Sequence, residues 1–309
     1  MLALTTLGED IAAEGIRNVA ANKLLQGNAL RETVRTFDPQ VILYIPTASA
    51  TPAAMLRTRV LHRYAAGARI ALLALQPRAY DPLTSLAIRF IKPPLILVQS
   101  KAMGALLEGL GCRVLPVRSG VDAERFAPVA PDERAGLRTR LGLPAQSFIV
   151  LHVGHINSGR NVAVLEQIQQ AGCQAVLVGS TSTDQDDSLA RRLERAGVIV
   201  VRQFVEHIEH YYQAADCYVF PVTSTTGAIA VPLSVLEAMA CNLPVVTMPY
   251  GDLPALFPAG GGLSVARNDW ELVSHTLAAR QITSPHTRAL VLPFSWPSVA
   301  NDIMQQVTA

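Results

Sequence analysis

Two side chains near the middle of the sequence have the types and spacing to bind a phosphate: His155 and Arg160. They flank a polar loop in the segment LHVGHINSGRN (Leu151–Asn161), where a predicted strand ends in a glycine turn and a helix follows. Such a turn offers backbone N–H groups to an anion, and an arginine adds a planar, two-pronged contact to phosphate oxygens. The pattern predicts an anion site, although an ordinary strand-to-helix turn with a surface arginine has the same appearance.

A carboxylate lies in a second segment, TSTTGAIAVPLSVLEAMA (Thr223–Ala240). Small and hydroxyl residues around Gly227 allow the backbone to approach a ligand closely. Glu237 lies about one turn into the helix that follows, and a carboxylate accepts two hydroxyl hydrogen bonds at once, as a ribose diol requires. The alternative is an acid that only stabilises the dipole at a helix N-terminus.

Other polar groups indicate less chemistry. A third segment, Val117–Pro128, holds Gly120, expected to supply a turn, and Phe126, expected to pin the segment to the core. Asp184, Asp186 and Asp187 are interpreted as a solvated loop, with metal binding as the alternative. Histidines without metal-ligand spacing are His62, His207, His210, His275 and His286. The four scattered cysteines form no CxxC pair, which favours a reducing cytoplasm and disfavours a zinc site.

Apolar strands alternate with helical patterns throughout the chain. The predicted strands are Val41–Ile45, Ile70–Leu75, Leu95–Val98, Phe148–Val153, Ala175–Val178, Val198–Val201, Cys217–Phe220 and Pro244–Thr247. The predicted helices are Ala53–Tyr64, Ala102–Leu110, Val162–Ala171, Ser188–Ala196, Ile208–Ala214 and Ser234–Ala240. Strands without alternating polarity are typical of parallel sheets covered on both faces. The sequence therefore predicts an α/β protein of two doubly wound units, with ligands at a cleft by the carboxyl ends of the strands.

The length of 309 residues also favours two domains. A segment rich in Pro, Gly and charge, Ala127–Ala145, is expected to link them. The predicted boundaries are 1–142, 143–293 and a C-terminal helix over 294–309. No apolar run approaches the ~20 residues of a membrane span.

Charge is divided unevenly along the chain. Residues 1–145 hold 18 Lys and Arg against 11 Asp and Glu, and residues 146–309 hold 8 against 13. The basic half suggests an anionic partner such as a membrane surface, as does RFIKPP (Arg89–Pro94), where cations flank apolar residues. A solvated, arginine-rich face explains the same charge equally well.

Four segments resemble one known family in order and spacing. SGVDAERFAP is similar to its NGVDxxxF.P, VGHINSGRN to VGRLxxxKG, YYQAADCYVFPV to YxxADxxVxPS, and IAVPLSVLEAMACNLPVV to EGFGLxxLEAMAxGxPVV. The closing FSW (Phe294–Trp296) is similar to the start of the family's last helix, which crosses back to the first domain. Over roughly residues 95–305 the chain resembles retaining glycosyltransferases of the GT-B fold, group 1, family 4 type, which include sucrose synthases and bacterial lipid mannosyltransferases.

The resemblance implies two Rossmann-like domains facing across a cleft, and transfer from a UDP- or GDP-sugar with retention and without a metal or other cofactor. His155 and Arg160 stand at the positions of the basic residues that neutralise the diphosphate leaving group. The implied donor-binding residues are Gly154, Asn157, Val205, Gly227, Ala230, Val231, Leu233 and Glu237. Gln76 and Arg78 are implied on the acceptor side. The partners implied are a nucleotide-sugar donor and an acceptor that is lipid-linked or a polysaccharide, with an anionic membrane surface and no nucleic acid, at the cytoplasmic side.

Four departures from the family pattern leave alternatives open. Ile229 stands where the family has its first acid, Pro232 replaces a glycine, Gln76 replaces a first-domain histidine, and a single glycine, Gly8, follows the first strand-like segment. The first domain is therefore expected to be trimmed. A catalytically silent GT-B protein that binds a nucleotide or a partner fits these departures. A UDP-sugar 2-epimerase is the remaining alternative.

Overall fold

The computed structural model describes residues 1–5, 10–11, 15–19, 21–47, 49–182, 184–224 and 229–308. The chain divides into two compact units. The first comprises Met1–Val117 with Asn301–Ala309, and the second comprises Arg118–Ala300. Both are α/β units built on parallel sheets, which confirms the predicted fold class.

The first unit has a four-stranded parallel sheet in the order β3-β4-β5-β6 and a separate parallel pair, β1-β2. Its strands are β1 (Ala3–Thr5), β2 (Ile16–Asn18), β3 (Val41–Tyr44), β4 (Arg69–Ala74), β5 (Ile96–Val98) and β6 (Val114–Pro116). Its helices are α1 (Asn28–Phe37), α2 (Pro52–Tyr64), α3 (Pro82–Ile91) and α4 (Lys101–Gly109). Two of these helices begin with a side-chain cap followed by proline. Thr51 caps α2 and Asp81 caps α3, each accepting a hydrogen bond from a backbone N–H of the first turn.

The second unit has six parallel strands in the order β12-β11-β10-β7-β8-β9. Its strands are β7 (Ile149–Gly154), β8 (Gln174–Gly179), β9 (Ile199–Val201), β10 (Cys217–Phe220), β11 (Val245–Thr247) and β12 (Leu263–Val265). Its helices are α5 (Pro131–Arg140), α6 (Val164–Gln170), α7 (Asp187–Arg195), α8 (Glu209–Ala214), α9 (Leu233–Ala240), α10 (Leu253–Leu256), α11 (Asp269–Ala278) and α12 (Thr287–Val291). A last helix, α13 (Trp296–Thr308), begins in the second unit, and its residues from Asn301 onward group with the first.

The core of the second unit lies on both faces of its sheet, because successive residues of each strand point to opposite faces. On β7, Ile149 and Leu151 join one buried cluster, and Val150 joins the other. All three side chains are at most 1% exposed. Strands covered on both faces are apolar along their whole length and do not alternate between apolar and polar residues. The sequence shows this continuous apolar pattern.

The predicted linker, Ala127–Ala145, is largely helical and belongs to the second unit. It contains α5, whose Arg134 and Arg138 bind the two carboxylate oxygens of Asp216 at 2.5 and 2.6 Å. The same carboxylate accepts a hydrogen bond from Ile149 N at 2.7 Å, at the start of β7. These contacts attach α5 to the second sheet, so the division falls at Val117 instead of at the predicted residue 142.

Within the described part of the chain, no helix combines the length and the apolar character that crossing a bilayer requires.

Candidate functional site

The candidate site lies where the winding of the six-stranded sheet reverses direction. Its first strand, β7, lies between β8 and β10, so one half of the sheet winds outward from each side of β7. In such sheets the carboxyl ends of the two strands at the reversal leave a crevice that binds ligands. The chain after β7 carries His155 and Arg160, and the chain after β10 leads to Glu237 on α9. The fold thus brings both predicted segments to the same edge.

The end of β7 requires a glycine for steric reasons. A Cβ atom at Gly154 would lie 2.9 Å from Nε2 of His152, whose ring is completely buried. His152 Nδ1 lies 2.9 Å from the carbonyl oxygen of Val219 on β10, which makes Nδ1–H the donor. Nε2 has no hydrogen-bond partner among the described residues, and burial lowers the pKa of His152 to about 4. A neutral imidazole therefore fastens β7 to β10 directly below the candidate site.

Arg160 is the principal charge of the site. It closes a 3₁₀ turn, Ser158–Arg160, that begins at Asn157, and only 9% of its surface is exposed. Its guanidinium forms no side-chain hydrogen bond or ion pair with a residue that the structure describes, and its nitrogen atoms keep some contact with solvent. Burial lowers its pKa, and the nearby phenols of Tyr250 and Tyr218 partly oppose this. A buried cation without an anionic partner is costly, so a bound anion would relieve that cost.

His155 lies beside Arg160 and is half-buried. Its pKa is lowered, first by burial and second by the charge of Arg160. The imidazole is therefore neutral near pH 7 in the free protein, and Arg160 alone carries positive charge there.

Glu237 is the fifth residue of α9, as predicted, and it is held by a tyrosine that sequence reasoning missed. The hydroxyl of Tyr212, on α8, donates a hydrogen bond of 2.7 Å to Oε2 of Glu237. Burial raises the pKa of Glu237, while this hydrogen bond and the charge of Arg125 oppose the rise. Oε1 has no partner among the described residues, so one oxygen is fixed and the other is available for a ligand.

The loop before α9 is held by backbone contacts. Ala230 and Val231 are buried, and their carbonyl oxygens accept hydrogen bonds from Asp252 N at 3.2 Å and Ser119 Oγ at 3.0 Å. Gly251 has φ +53°, and a Cβ there would lie 2.1 Å from the Ala230 oxygen. Leu233 opens α9 and is 38% exposed, whereas Val235 and Leu236 behind it are buried.

Gly227 and Val205 were predicted to bind the donor, and Ile229 stands where the resembled family has an acid. Gly227 lies outside the described residues. Val205, half-buried against the core, follows β9 at the same edge of the sheet, next to Phe204, which is 76% exposed. Ile229 is half-buried and brings no acid to the loop.

The acceptor-side candidates, Gln76 and Arg78, belong to the first unit. Both are exposed and follow β4 at the carboxyl edge of its own sheet. The segment is tied down by Ser49, whose hydroxyl donates to Gln76 O at 2.8 Å and accepts from Gln76 N at 3.1 Å.

One group of described side chains could hold a metal, although the sequence analysis did not single it out. Ligand atoms of His207, Glu209 and His210 lie within 4.8 Å of one another. Oε2 of Glu209 already binds Arg125 Nε at 2.8 Å, and Oε1 lies 3.1 Å from His207 Nδ1. The H-x-E-H spacing at the start of α8 was the available signal, since one helical turn brings the side chains together.

The comparisons with known proteins agree with this geometry. Residues 148–279 match the family model described as glycosyl transferases group 1. A D-inositol 3-phosphate glycosyltransferase of Frankia alni is 28% identical over 221 residues, 62% of this chain and 52% of the relative. The putative teichuronic acid biosynthesis glycosyltransferase TuaC of Bacillus subtilis is 30% identical over 156 residues, 49% of this chain and 36% of the relative. The chain thus spans about half, or less, of the length of these curated relatives.

Solved structures show the same fold. A glycosyltransferase from Rickettsia africae superposes with a TM-score of 0.80 at 12% identity, covering 99% of this chain and 88% of that one. HepE of Anabaena, solved in complex with UDP, gives 0.72 at 17% identity, covering 95% and 85%. Identities this low establish the fold alone, which is the two-domain fold of GT-B glycosyltransferases. The resemblance to the group 1 glycosyl transferase family itself is limited to the matched residues, 148–279.

Proposed function

We propose that this protein transfers a sugar from a nucleoside-diphosphate sugar to an acceptor, with retention of configuration and without a metal. The observation that carries this proposal is the buried, unpaired guanidinium of Arg160 at the reversal point of the sheet. An anion of at least one full charge is the ligand that such a group favours, and the diphosphate of a sugar donor supplies it.

The chemistry follows from where charge develops. The bond between the anomeric carbon of the sugar and the diphosphate breaks, a bond to an acceptor hydroxyl oxygen forms, and the proton of that hydroxyl leaves with the diphosphate or the solvent. Negative charge accumulates on the leaving oxygen, so a fixed cation beside it lowers the barrier. Arg160 supplies the cation, and His155 supplies a donor N–H; the negative charge of the diphosphate favours the protonated form of this imidazole.

Glu237 would hold the ribose of the donor. Tyr212 fixes Oε2, which leaves Oε1 to accept hydroxyl hydrogen bonds. The proposed donor is a UDP-sugar, supported by the fold shared with HepE, which was also solved with UDP-glucose. The proposed acceptor is lipid-linked or a polysaccharide; the TuaC relative is named for teichuronic acid biosynthesis.

Nucleotide binding without transfer is a second candidate, favoured by one observation. Ile229 provides no carboxylate to contact sugar hydroxyls, although the rest of the candidate donor site is assembled. A protein of this kind would bind UDP and UDP-sugars equally well and hydrolyse or transfer neither.

The test is a titration of UDP, GDP and their glucose and mannose derivatives into the full chain by calorimetry, followed by donor hydrolysis assays on every ligand that binds. The Arg160→Gln variant should bind about ten- to a hundredfold more weakly, because a charge-assisted contact contributes about 1.5–3 kcal/mol. Arg267→Gln, an exposed arginine on the loop after β12, is the matched control and should bind as the wild type does. Unchanged affinity in a folded Arg160→Gln variant would remove the phosphate assignment. Binding without hydrolysis or transfer would favour the second candidate.

A further inference from the structure

A cationic pocket lies in the first unit, away from the edge at which its candidate acceptor residues lie. It has a volume of about 420 Å³. Its lining residues are Arg59, His62, Arg63, Lys92, Pro93, Pro94, Gly111 and Arg113. Pro93 and Pro94 precede β5 and Arg113 precedes β6, so the pocket lies at the amino-terminal edge of the parallel sheet. Gln76 follows β4 at the opposite, carboxyl-terminal edge. The pocket is therefore separate from the surface where α/β folds usually bind substrates.

The lining of this pocket carries four permanent cations and no acid. They are Arg59, Arg63, Lys92 and Arg113. None of the four forms an ion pair with any residue that the structure describes. Like charges gathered in one concave surface repel each other and concentrate a positive potential there. An anionic ligand would remove that repulsion.

Two of the cations are held in position by backbone carbonyl groups. Arg59 Nη1 donates to Phe90 O at 2.9 Å, and Lys92 Nζ donates to Gly111 O at 2.7 Å. A neutral carbonyl orients a cation without cancelling its charge, so the pocket is preorganised for an anion. Arg63 and Arg113 make no such hydrogen bond to a described residue and are exposed, which leaves their guanidinium groups available.

We propose that this pocket binds a phosphate-bearing group, a phosphomonoester or a diphosphate. Forked arginines and a lysine match the several oxygens and the multiple charge of phosphate better than the single charge of a carboxylate. The volume exceeds what inorganic phosphate needs and lies in the range, roughly 300–1,000 Å³, of pockets for whole small molecules. This site is distinct from the candidate donor site in the second unit.

The phosphate group could be carried by a soluble molecule or by a lipid. One face of α3, beside the pocket, exposes Leu83, Leu86 and Phe90 at 79%, 54% and 73%. The backbone oxygen of Phe90 is the acceptor that holds Arg59. Because apolar side chains adjoin the cations, the experiment includes a lipid arm beside a soluble one.

The soluble arm is a calorimetric titration of inorganic pyrophosphate into the full chain at low salt. The lipid arm is co-sedimentation with phosphatidylcholine vesicles with and without phosphatidic acid. The test variant is Arg63→Gln/Arg113→Gln, since neither side chain holds another element in place. Its matched control is Arg31→Gln/Arg35→Gln, two exposed arginines of α1 in the same unit that remove the same charge. Arg160→Gln separates this pocket from the donor site.

We expect binding in at least one arm, weakened about tenfold or more by Arg63→Gln/Arg113→Gln and retained in both other variants. Binding of pyrophosphate assigns a soluble ligand, and binding that requires phosphatidic acid assigns a lipid headgroup. Equal weakening in the Arg31→Gln/Arg35→Gln control would show that binding depends on net charge alone, and it would overturn the proposal. Absence of binding in both arms by a folded wild-type chain would also overturn it. Failure of the donor-site proposal appears instead as nucleotide binding that Arg160→Gln leaves unchanged.

Discussion

Tyr212 and Glu237, 25 residues apart in the sequence, are joined by a hydrogen bond of 2.7 Å between the phenol hydroxyl and Oε2. The tyrosine is completely buried, and burial raises its pKa well above the ordinary value, so it remains a donor at any physiological pH. The carboxylate thus has one oriented oxygen and one oxygen that contacts no described residue by a hydrogen bond. An acid that only stabilised a helix dipole would not need this support.

Tyr212→Phe should weaken nucleotide binding even though residue 212 need not touch the ligand. Loss of the hydroxyl leaves the carboxylate free to rotate and removes a hydrogen bond to a charged group, which typically contributes about 1.5–3 kcal/mol to stability. Tyr211→Phe removes the neighbouring hydroxyl on the same helix and is the matched control. Calorimetry with UDP and urea unfolding measure both effects, and equal behaviour of the two variants would contradict this role for Tyr212.

Glu237→Ala should abolish discrimination between UDP and 2′-deoxy-UDP. In the wild type the deoxy ligand should bind more weakly, because the carboxylate loses one hydroxyl donor. Without the carboxylate, both ligands should bind with the same reduced affinity. The prediction fails if Glu237→Ala still prefers the ribose form as strongly as the wild type does.

Glu237→Gln should stabilise the unliganded protein at pH 7 while it weakens nucleotide binding. Burial raises the pKa of Glu237 above its ordinary value of 4.5, so the ionised form costs stability. That cost is absent below pH 4.5, where the carboxyl is protonated in both folded and unfolded states; it grows as the pH rises from 4.5 to the higher folded pKa and is complete above it. The amide still accepts from Tyr212. Melting temperatures should therefore differ most at neutral pH and converge near pH 4; a difference independent of pH would argue against the buried charge as its cause.

His152 should contribute to acid unfolding. Its pKa is about 4 in the folded protein, against an ordinary 6.5, so the unfolded chain takes up a proton at a pH where the folded protein does not. The stability is fully present above pH 6.5 and falls by about 3 kcal/mol as the pH drops towards 4. His152→Asn retains a donor towards Val219 and should flatten the dependence of unfolding free energy on pH in this window. His286→Asn, at an exposed position, is the control, and an unchanged slope in His152→Asn would refute the assignment.

Gly120→Ala should destabilise the second unit. A Cβ at this position would lie 2.2 Å from Cε3 of Trp296, so the indole would have to move. Overpacking of this kind typically costs about 1–3 kcal/mol. Gly67→Ala is the control, because no atom lies within 4 Å of its added Cβ. Trp296→Leu should rescue part of the loss in the double variant, and purely additive losses would show that the ring is not the cause.

Gly120 also shows what a local pattern misses. The sequence suggested a turn at Gly120, but the φ angle of this residue is not positive. A glycine is needed there because the Trp296 ring approaches it closely. Val121 N donates to Phe294 O at 2.9 Å, and Trp296 N donates to Val121 O at 3.1 Å, which brings the ring to the glycine. Phe126, expected to anchor the same segment, does so: it is 5% exposed and packs edge-on against Tyr212 with ring centroids 5.6 Å apart.

By itself the sequence determined the fold class and the positions of most strands and helices in both sheets. Largely apolar runs such as Ile149–Val153 are typical of strands buried on both faces of a parallel sheet, so their signal is local. The sequence also predicted correctly that Glu237 lies on a short apolar helix.

The tertiary structure decided what depends on residues distant in the chain. The strand order alone places the end of β7 beside the end of β10, and so puts Arg160 at the same crevice as Glu237. The ion pairs of Asp216 with Arg134 and Arg138 assign α5 to the second unit, although its composition resembles a linker. Such pairings depend on which surfaces pack together, and no short window of sequence carries that information, because the contacting groups lie tens of residues apart.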